Sequence, residues 1–340
     1  MKRKTRFYIF FFLIFSLSCE KDNPPEAGFT FTVDNDKSPC LVTFINESRY
    51  GESYLWDFGD GKTSKEEEPI HTFYRSGTFN VTLTVKNAIS SASCDYDVIV
   101  APGGIEITAV PLTLGLDPFY RKYTDANGIP VISSSKVREE ALLRARSIVI
   151  AMMAKRDDVR IKMLEYKARV GIIGATEVTT DMPEYAFLRD DPNTDWDERS
   201  RGLGGTIWVP LTTGAEENIL CLALDRYKAE DILIHEFAHA IHGMGIRFVE
   251  SDFETRLSAI YANAINSGKW QNTYAATNFS EYWAEGVQCW YNVNAQNSPS
   301  DGIHNHVNTR SELLQYDPDL YNLINEFLPS ALTGSCHEAS

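Results

Sequence analysis

Over residues 27–100 apolar and polar positions alternate in short runs, the period-two signature of strands with one buried face. Phe29–Val33 and 41–45 are two such runs, and 79–85 is the clearest. Asp57-Phe58-Gly59-Asp60-Gly61 punctuates the middle as a turn. Ala101-Pro102-Gly103-Gly104 reads as a linker, and from about Ile105 the period changes. Helical periodicity runs through 136–155 and 157–167, with strands expected at Arg169–Ile173 and 207–210. Residues 229–243 are apolar nearly all round, which predicts a buried helix stopped by Gly243 and Gly245. Ser251-Asp252-Phe253-Glu254 has the form of a capping box. It opens an amphipathic helix with Phe253, Leu257, Ile260, Tyr261, Ala264 and Ile265 on its apolar side, ended by Gly268. A further apolar helix runs from Asn278 to about Tyr291. Asp317-Pro318 starts a terminal one, with Asp as N-cap and Pro at N1. The pattern predicts an all-β domain over 27–101 and an α+β domain over 105–340, and 340 residues suffice for two cores.

Chemistry concentrates in His235-Glu236-Phe237-Ala238-His239, which reads HExxH. Histidines at i and i+4 lie one above the other on a helical face, so both imidazoles reach one metal ion. The glutamate beside the first histidine projects at another angle and addresses a water instead. Such a motif arises by chance in roughly one chain in a hundred of this length, so a zinc reading needs a third protein ligand. Asn278-Phe279-Ser280-Glu281-Tyr282-Trp283-Ala284-Glu285 offers one. Glu281 and Glu285 also stand at i and i+4: one carboxylate is placed to ligate zinc, the other to accept a ligand histidine's free ring N–H. The competing role for Glu281 is N3 of a capping box on Asn278, and for Glu285 a solvated helix face.

HExxH followed some forty residues later by a helix with Glu as third ligand resembles a gluzincin metallopeptidase. The closer likeness is to the peptidase-domain family of anthrax lethal factor, which shows a Tyr, then Thr-Asn, then Glu, two aromatics, Ala and Glu. This chain has Tyr274-Ala275-Ala276-Thr277-Asn278-Phe279-Ser280-Glu281-Tyr282-Trp283-Ala284-Glu285. The resemblance covers two short windows and the helical spacer between them. It implies a zincin-like fold for 105–340, with one zinc ion on His235, His239 and Glu281. It implies Glu236 as general base, Tyr274 as the hydroxyl that steadies the oxyanion, and Glu285 behind the ligands. The implied reaction is peptide-bond hydrolysis by zinc-activated water on a protein or peptide substrate.

Elsewhere in that domain, His304-Asn305-His306 and Arg310 are candidates for lining a substrate cleft, Arg310 by binding a carboxylate, against the alternative of ordinary loop polarity. Zincins present an edge strand to the substrate backbone, and Arg169–Ile173 or 207–210 would serve. Arg201-Gly202-Leu203-Gly204-Gly205 lacks the context of a phosphate loop and reads as a turn.

The first domain carries a second resemblance. Trp56-Asp57-Phe58-Gly59-Asp60-Gly61, His71-Thr72-Phe73 and Gly77-Thr78-Phe79-Asn80-Val81-Thr82-Leu83 resemble a PKD module. That implies an immunoglobulin-like β-sandwich with Trp56 in its core and Asp57 and Asp60 shaping the turn. Its implied role is a spacer, or a contact to protein or polysaccharide.

At the N-terminus, Lys2, Arg3, Lys4 and Arg6 precede an apolar run at 7–17 too short to span a bilayer comfortably. Ser16-Leu17-Ser18-Cys19 resembles a bacterial lipobox. It implies a signal peptide over 1–18, lipid on Cys19, and a polar tether over 19–26. The expected place is the cell envelope, at the outer membrane or cell surface, with the lipid as sole membrane contact. Cleavage there removes four basic residues and takes the formal charge from −15 to −19, which disfavours nucleic acid. Of the remaining cysteines, Cys40 and Cys94 are placed to pair in the first domain. Cys221, Cys289 and Cys336 share the second, so at least one is expected free. The competing function is a zincin-fold surface protein without turnover that binds protein or polysaccharide.

Overall fold

The computed structural model describes residues 23–33, 36, 40–73, 77–101 and 107–337. The expected signal peptide, residues 19–22 of the tether with Cys19, and residues 102–104 of the linker lie outside the described residues. The chain divides into two compact units, one ending at Ala101 and one running from Pro102. Among the described residues no helix is long and apolar enough to cross a membrane.

Among the described residues of the first unit the alternating runs form seven strands: β1 (Phe29–Val33), β2 (Cys40–Asn46), β3 (Ser53–Asp57), β4 (Thr63–Ser64), β5 (Ile70–Phe73), β6 (Gly77–Lys86) and β7 (Ser91–Val100). They pair antiparallel in two sheets, β1-β2-β5 and β4-β3-β6-β7. Every second residue of β6 faces inward: Phe79, Val81, Leu83 and Val85 are buried with Phe44, Trp56 and Phe73. Asp57 accepts from the Gly59 N–H at 3.0 Å and Asp60 from the Lys62 N–H at 3.0 Å, which folds the turn after β3. Gly59 takes φ +73°, and a Cβ there would lie 2.7 Å from the Asn80 carbonyl oxygen. The expected Cys40–Cys94 disulfide is not formed. Cys94 is a free thiol on β7, whereas Cys40 lies on β2 in the opposite sheet.

The second unit is built on a mixed sheet of β8 (Lys122–Ala126), β9 (Ile129–Ser133), β10 (Arg169–Ile173), β11 (Gly202–Leu203) and β12 (Leu211–Ala215), in the order β11-β12-β10-β9-β8. The crossover from β9 to the parallel β10 carries α1 (Glu139–Met153) and α2 (Asp157–Glu165). After β10 come α3 (Trp196–Arg199), α4 (Glu216–Ile219), α5 (Ile232–Ala240), α6 (Arg247–Val249), α7 (Phe253–Asn266), α8 (Phe279–Trp290), α9 (Arg310–Tyr316) and α10 (Pro318–Phe327). Helix α5 packs between β12 and α8, which explains why it is apolar on nearly every side.

Several local expectations are corrected. Residues 207–210 are not a strand: the Thr206 N–H bonds to the Val209 carbonyl in a tight turn, and the strand begins at Leu211. Arg169–Ile173 is a strand, but an interior one, paired with β9 and β12 and unable to offer a free edge. The edge strand that lines the cleft is Gly202–Leu203, inside the segment expected to be a turn. Gly243 and Gly245 do not stop α5, because neither takes positive φ. The chain continues as a π-helical turn over Ile241–Ile246 and into α6. There Gly245 lies so close to α2 that a Cβ would sit 2.5 Å from a Val159 methyl. Helix α7 starts at Phe253 with Asp252 as N-cap, but no side-chain capping bond forms.

Candidate metal centre

Helix α5 opens on Asp231, whose side chain accepts the Ile234 N–H at 3.1 Å, and α8 opens on Asn278, which accepts from Ser280 and Glu281 at 2.9 and 3.0 Å. Asn278 is thus the N-cap, while Glu281 turns away from the cap toward α5. The Trp283 indole N–H donates to the Ala238 carbonyl at 3.0 Å and ties the two helices face to face.

This packing brings His235, His239 and Glu281 together. Nε2 of His235 and Nε2 of His239 are 3.2 Å apart, and Oε2 of Glu281 lies 3.1 Å from the first and 3.2 Å from the second. On the far sides of the rings, Nδ1 of His235 meets the Gln288 amide oxygen at 2.8 Å, and Nδ1 of His239 meets the Ser280 hydroxyl at 3.0 Å. With Nδ1 protonated in both rings, two nitrogen lone pairs and a carboxylate oxygen converge on one point, an arrangement that favours a cation. A four-coordinate zinc at about 2.0–2.1 Å from such donors sets neighbouring ligand atoms about 3.3–3.4 Å apart. The observed triangle fits that size, and the donor set of two imidazoles and one carboxylate fits zinc chemistry.

The electrostatics agree. Burial opposes protonation of His235, yet the Glu281 hydrogen bond and the charges of Glu236, Glu285 and Glu281 outweigh it and raise its pKa to about 10. Burial likewise opposes ionisation of Glu281, and the two histidines overcome it and hold its pKa well below the usual carboxylate range. The His235 shift reports the negative charge of the surrounding carboxylates, and the Glu281 shift reports its pairing with the two imidazoles.

Glu236 lines the same cleft. Burial raises its pKa, against the pull of His235 and His239 and a hydrogen bond from the Gly204 N–H. Gly204 reaches it because it has no side chain: a Cβ there would lie 2.8 Å from His239 Cβ and 3.2 Å from the Glu236 carbonyl oxygen. Tyr274 also lines the cleft, its ring 6.3 Å from that of His235, and burial with the charges of Glu281 and Glu236 pushes its pKa up to about 12. The phenol therefore keeps its proton at neutral pH. Glu285 is buried, with Oε1 3.6 Å from Nδ1 of His235 and Oε2 accepting from Asn294 at 3.0 Å.

The cleft encloses about 900 Å³. Leu203, Ile207, Trp208, Phe279 and Ile303 supply apolar lining, with Arg199, Arg247, Glu230 and Glu254 among the charged groups. His304, His306 and Arg310 are not among the lining residues. His304 sits behind the wall, 3.3 Å from Glu230, which does line the cleft. His306 stands edge-on to Tyr316. The Arg310 guanidinium donates to the carbonyls of Trp290 at 2.7 Å and Ser330 at 2.5 Å, so two main-chain acceptors take the donors expected for a substrate carboxylate. Gln288, Ser280 and Gly204 carry no spacing signal in the sequence, and only packing reveals their roles.

Comparison with known proteins bears on the first unit. Residues 29–100 match the PKD domain family. The chain is similar to collagenase ColQ1 of Bacillus cereus (strain Q1), at 57% identity over 35 residues, 10% of this chain and 4% of the collagenase. It is similar to the pre-pro-metalloprotease PrtV of Vibrio cholerae, at 54% identity over 61 residues, 18% of this chain and 7% of that protein. The matches therefore span less than a tenth of each curated relative, and these metalloproteases share only the PKD region with this chain. Among solved structures, the PKD1 domain of Vibrio anguillarum Epp is 30% identical, covering 24% of this chain and 99% of that domain, with a TM-score of 0.22. The PKD1 domain of Vibrio cholerae PrtV is 34% identical, covering 22% and 95%, with a TM-score of 0.20. The chain thus carries an N-terminal PKD domain followed by a mixed region of helices and sheet.

Proposed function

We propose that residues 105–340 form a zincin-like zinc metallopeptidase that hydrolyses peptide bonds. The observation that carries this reading is the triangle of His235 Nε2, His239 Nε2 and Glu281 Oε2, with edges of 3.2, 3.1 and 3.2 Å at the floor of a cleft. Zinc, when bound there, supplies Lewis acidity toward a carbonyl oxygen and lowers the pKa of a water to about 7. Glu236 takes one proton from the attacking water and hands it to the leaving amine nitrogen, so its carboxylate is regenerated each cycle. Tyr274 donates its O–H to the oxygen that becomes negative as the carbonyl is attacked. Strand β11 lines the cleft, and the apolar side chains of Leu203, Ile207 and Trp208 form a wall against which a peptide side chain can pack.

The lipobox-like segment ending at Cys19 supports export and a lipid anchor at the cell envelope. The presence of PKD domains in the similar collagenases and metalloprotease supports a spacer role for this one, or contact with protein or polysaccharide.

The test uses the full chain. Elemental mass spectrometry of wild type and His239→Ala is expected to find one zinc per chain in the first and none in the second. Glu236→Gln is expected to keep zinc and lose cleavage of a peptide library by at least ~100-fold. A wild type that takes up no zinc on reconstitution would sink the enzyme reading. A zinc-loaded wild type that cleaves nothing would leave a surface binding protein.

A further inference from the structure

We infer that Gln288 is a positioning residue that fixes the tautomer and direction of His235 for a divalent cation. The inference rests on the metal reading above.

Gln288 is completely buried in the third turn of α8. Its amide nitrogen donates to the main-chain carbonyl of Asp231 at 3.2 Å, and its amide oxygen faces Nδ1 of His235 at 2.8 Å. The orientation of the amide is forced. A carbonyl oxygen only accepts, so the –NH₂ must face Asp231 and the oxygen must face the imidazole. An amide oxygen also only accepts, so Nδ1 of His235 must carry the proton. Nε2 then keeps its lone pair, aimed at the point shared with His239 and Glu281.

The carboxylate expected in this role does not occupy it. Glu285 Oε1 is 3.6 Å from the same nitrogen, beyond hydrogen-bonding distance, and its other oxygen is held by Asn294 at 3.0 Å. A neutral amide therefore replaces the negatively charged partner common behind ligating histidines. It takes the ring's hydrogen bond as a neutral group, while the Glu285 carboxylate stands 3.6 Å from the same nitrogen without that bond. The same amide also holds the start of the metal helix. Asp231 is the N-cap of α5, and its Oδ2 accepts from the Ser335 hydroxyl at 2.6 Å. One side chain thus sets the helix entry and the ligand together.

The test compares wild type, Gln288→Met and Gln288→Glu in the full chain. Zinc affinity is read by competition with a chromophoric chelator, and the ligand field by the visible spectrum of the cobalt-substituted protein. Methionine keeps the length and removes both hydrogen bonds. It is expected to weaken zinc binding by about 10–100-fold and to alter the cobalt spectrum. Glutamate restores an acceptor for Nδ1 and is expected to recover most of the lost affinity. Equal affinity in Gln288→Met and wild type would overturn the positioning role while leaving the metal site intact. No zinc in the wild type would instead remove the metal reading itself. Loss in Gln288→Glu as deep as in Gln288→Met would overturn the acceptor argument. Should Gln288→Met fail to fold, the imidazole ¹⁵N spectrum of the zinc-loaded wild type decides. A slowly exchanging proton on Nδ1 of His235 is expected, and a rapidly exchanging one would overturn the proposal.

Discussion

A histidine packed beside a carboxylate ties stability to pH, and His304 does this outside the candidate metal triad. Burial works against its charged form, but the Glu230 hydrogen bond and the charges of Glu230, Glu285 and Asp301 outweigh burial and raise its pKa above 6.5. The folded state thus holds the proton more tightly than the unfolded chain does. The pair's contribution is fully present below about pH 6.5 and is lost as pH rises through the higher folded-state value. His304→Gln is expected to remove a term of up to about 1 kcal/mol, seen as a smaller fall in Tm between pH 6 and 8.5 than in wild type. An identical fall in both proteins would remove His304 from the account. Single residues differ in how much the sequence reveals of them. His235, His239 and Glu281 stand at helical spacings that report a shared face. Arg310 and Gln288 have no such spacing: one looks like a ligand for substrate and bonds main-chain carbonyls, the other looks inert and meets the His235 ring of the candidate metal centre.

Helix α8 links local sequence to the site. Asn278 fixes the first turn, and that turn carries Ser280 and Glu281, one bonded to Nδ1 of His239 and the other within reach of both ligand histidines. Replacing Asn278 with Ala is expected to cost about 1 kcal/mol of stability by chemical denaturation. It should also weaken zinc binding, because the ligand's own backbone loses its anchor. A variant with lowered stability but unchanged zinc affinity would separate the cap from the site. Helix periodicity makes α1, α2, α7 and α10 legible in the amino-acid sequence, while α8, buried on every side from Tyr282 to Trp290, is legible from its apolar length. The strands nearest the cleft are less legible. Residues 207–210 have strand-like composition, yet they form a turn, and the edge strand beside the cleft is Gly202–Leu203. A two-residue strand leaves too short a pattern to read.

Across the whole molecule, the two units have separate hydrophobic cores. Cys221 and Cys336 are disulfide-bonded across 115 residues of the second unit, and Cys289 is a free buried thiol. The bond secures the C-terminal segment where Ser335 reaches Asp231 and His337 bonds the Asn218 carbonyl at 2.9 Å. Cys336→Ser is expected to cost about 2–5 kcal/mol in the second unit. Calorimetry of the full chain should then show one transition lowered and the PKD transition unmoved. A fall in both would mean that the units do not unfold separately.

Periodicity and short motifs determined the two-part organisation, the PKD strands, most helices and the ligand types for a metal, because each depends on residues close together in sequence. Which cysteines pair, which strand is free and which group stands behind each histidine were decided by tertiary packing. Gln288 and His235 are 53 positions apart, and Cys221 and Cys336 are 115. No local pattern encodes such distances: they follow only when apolar faces from distant segments close on one core.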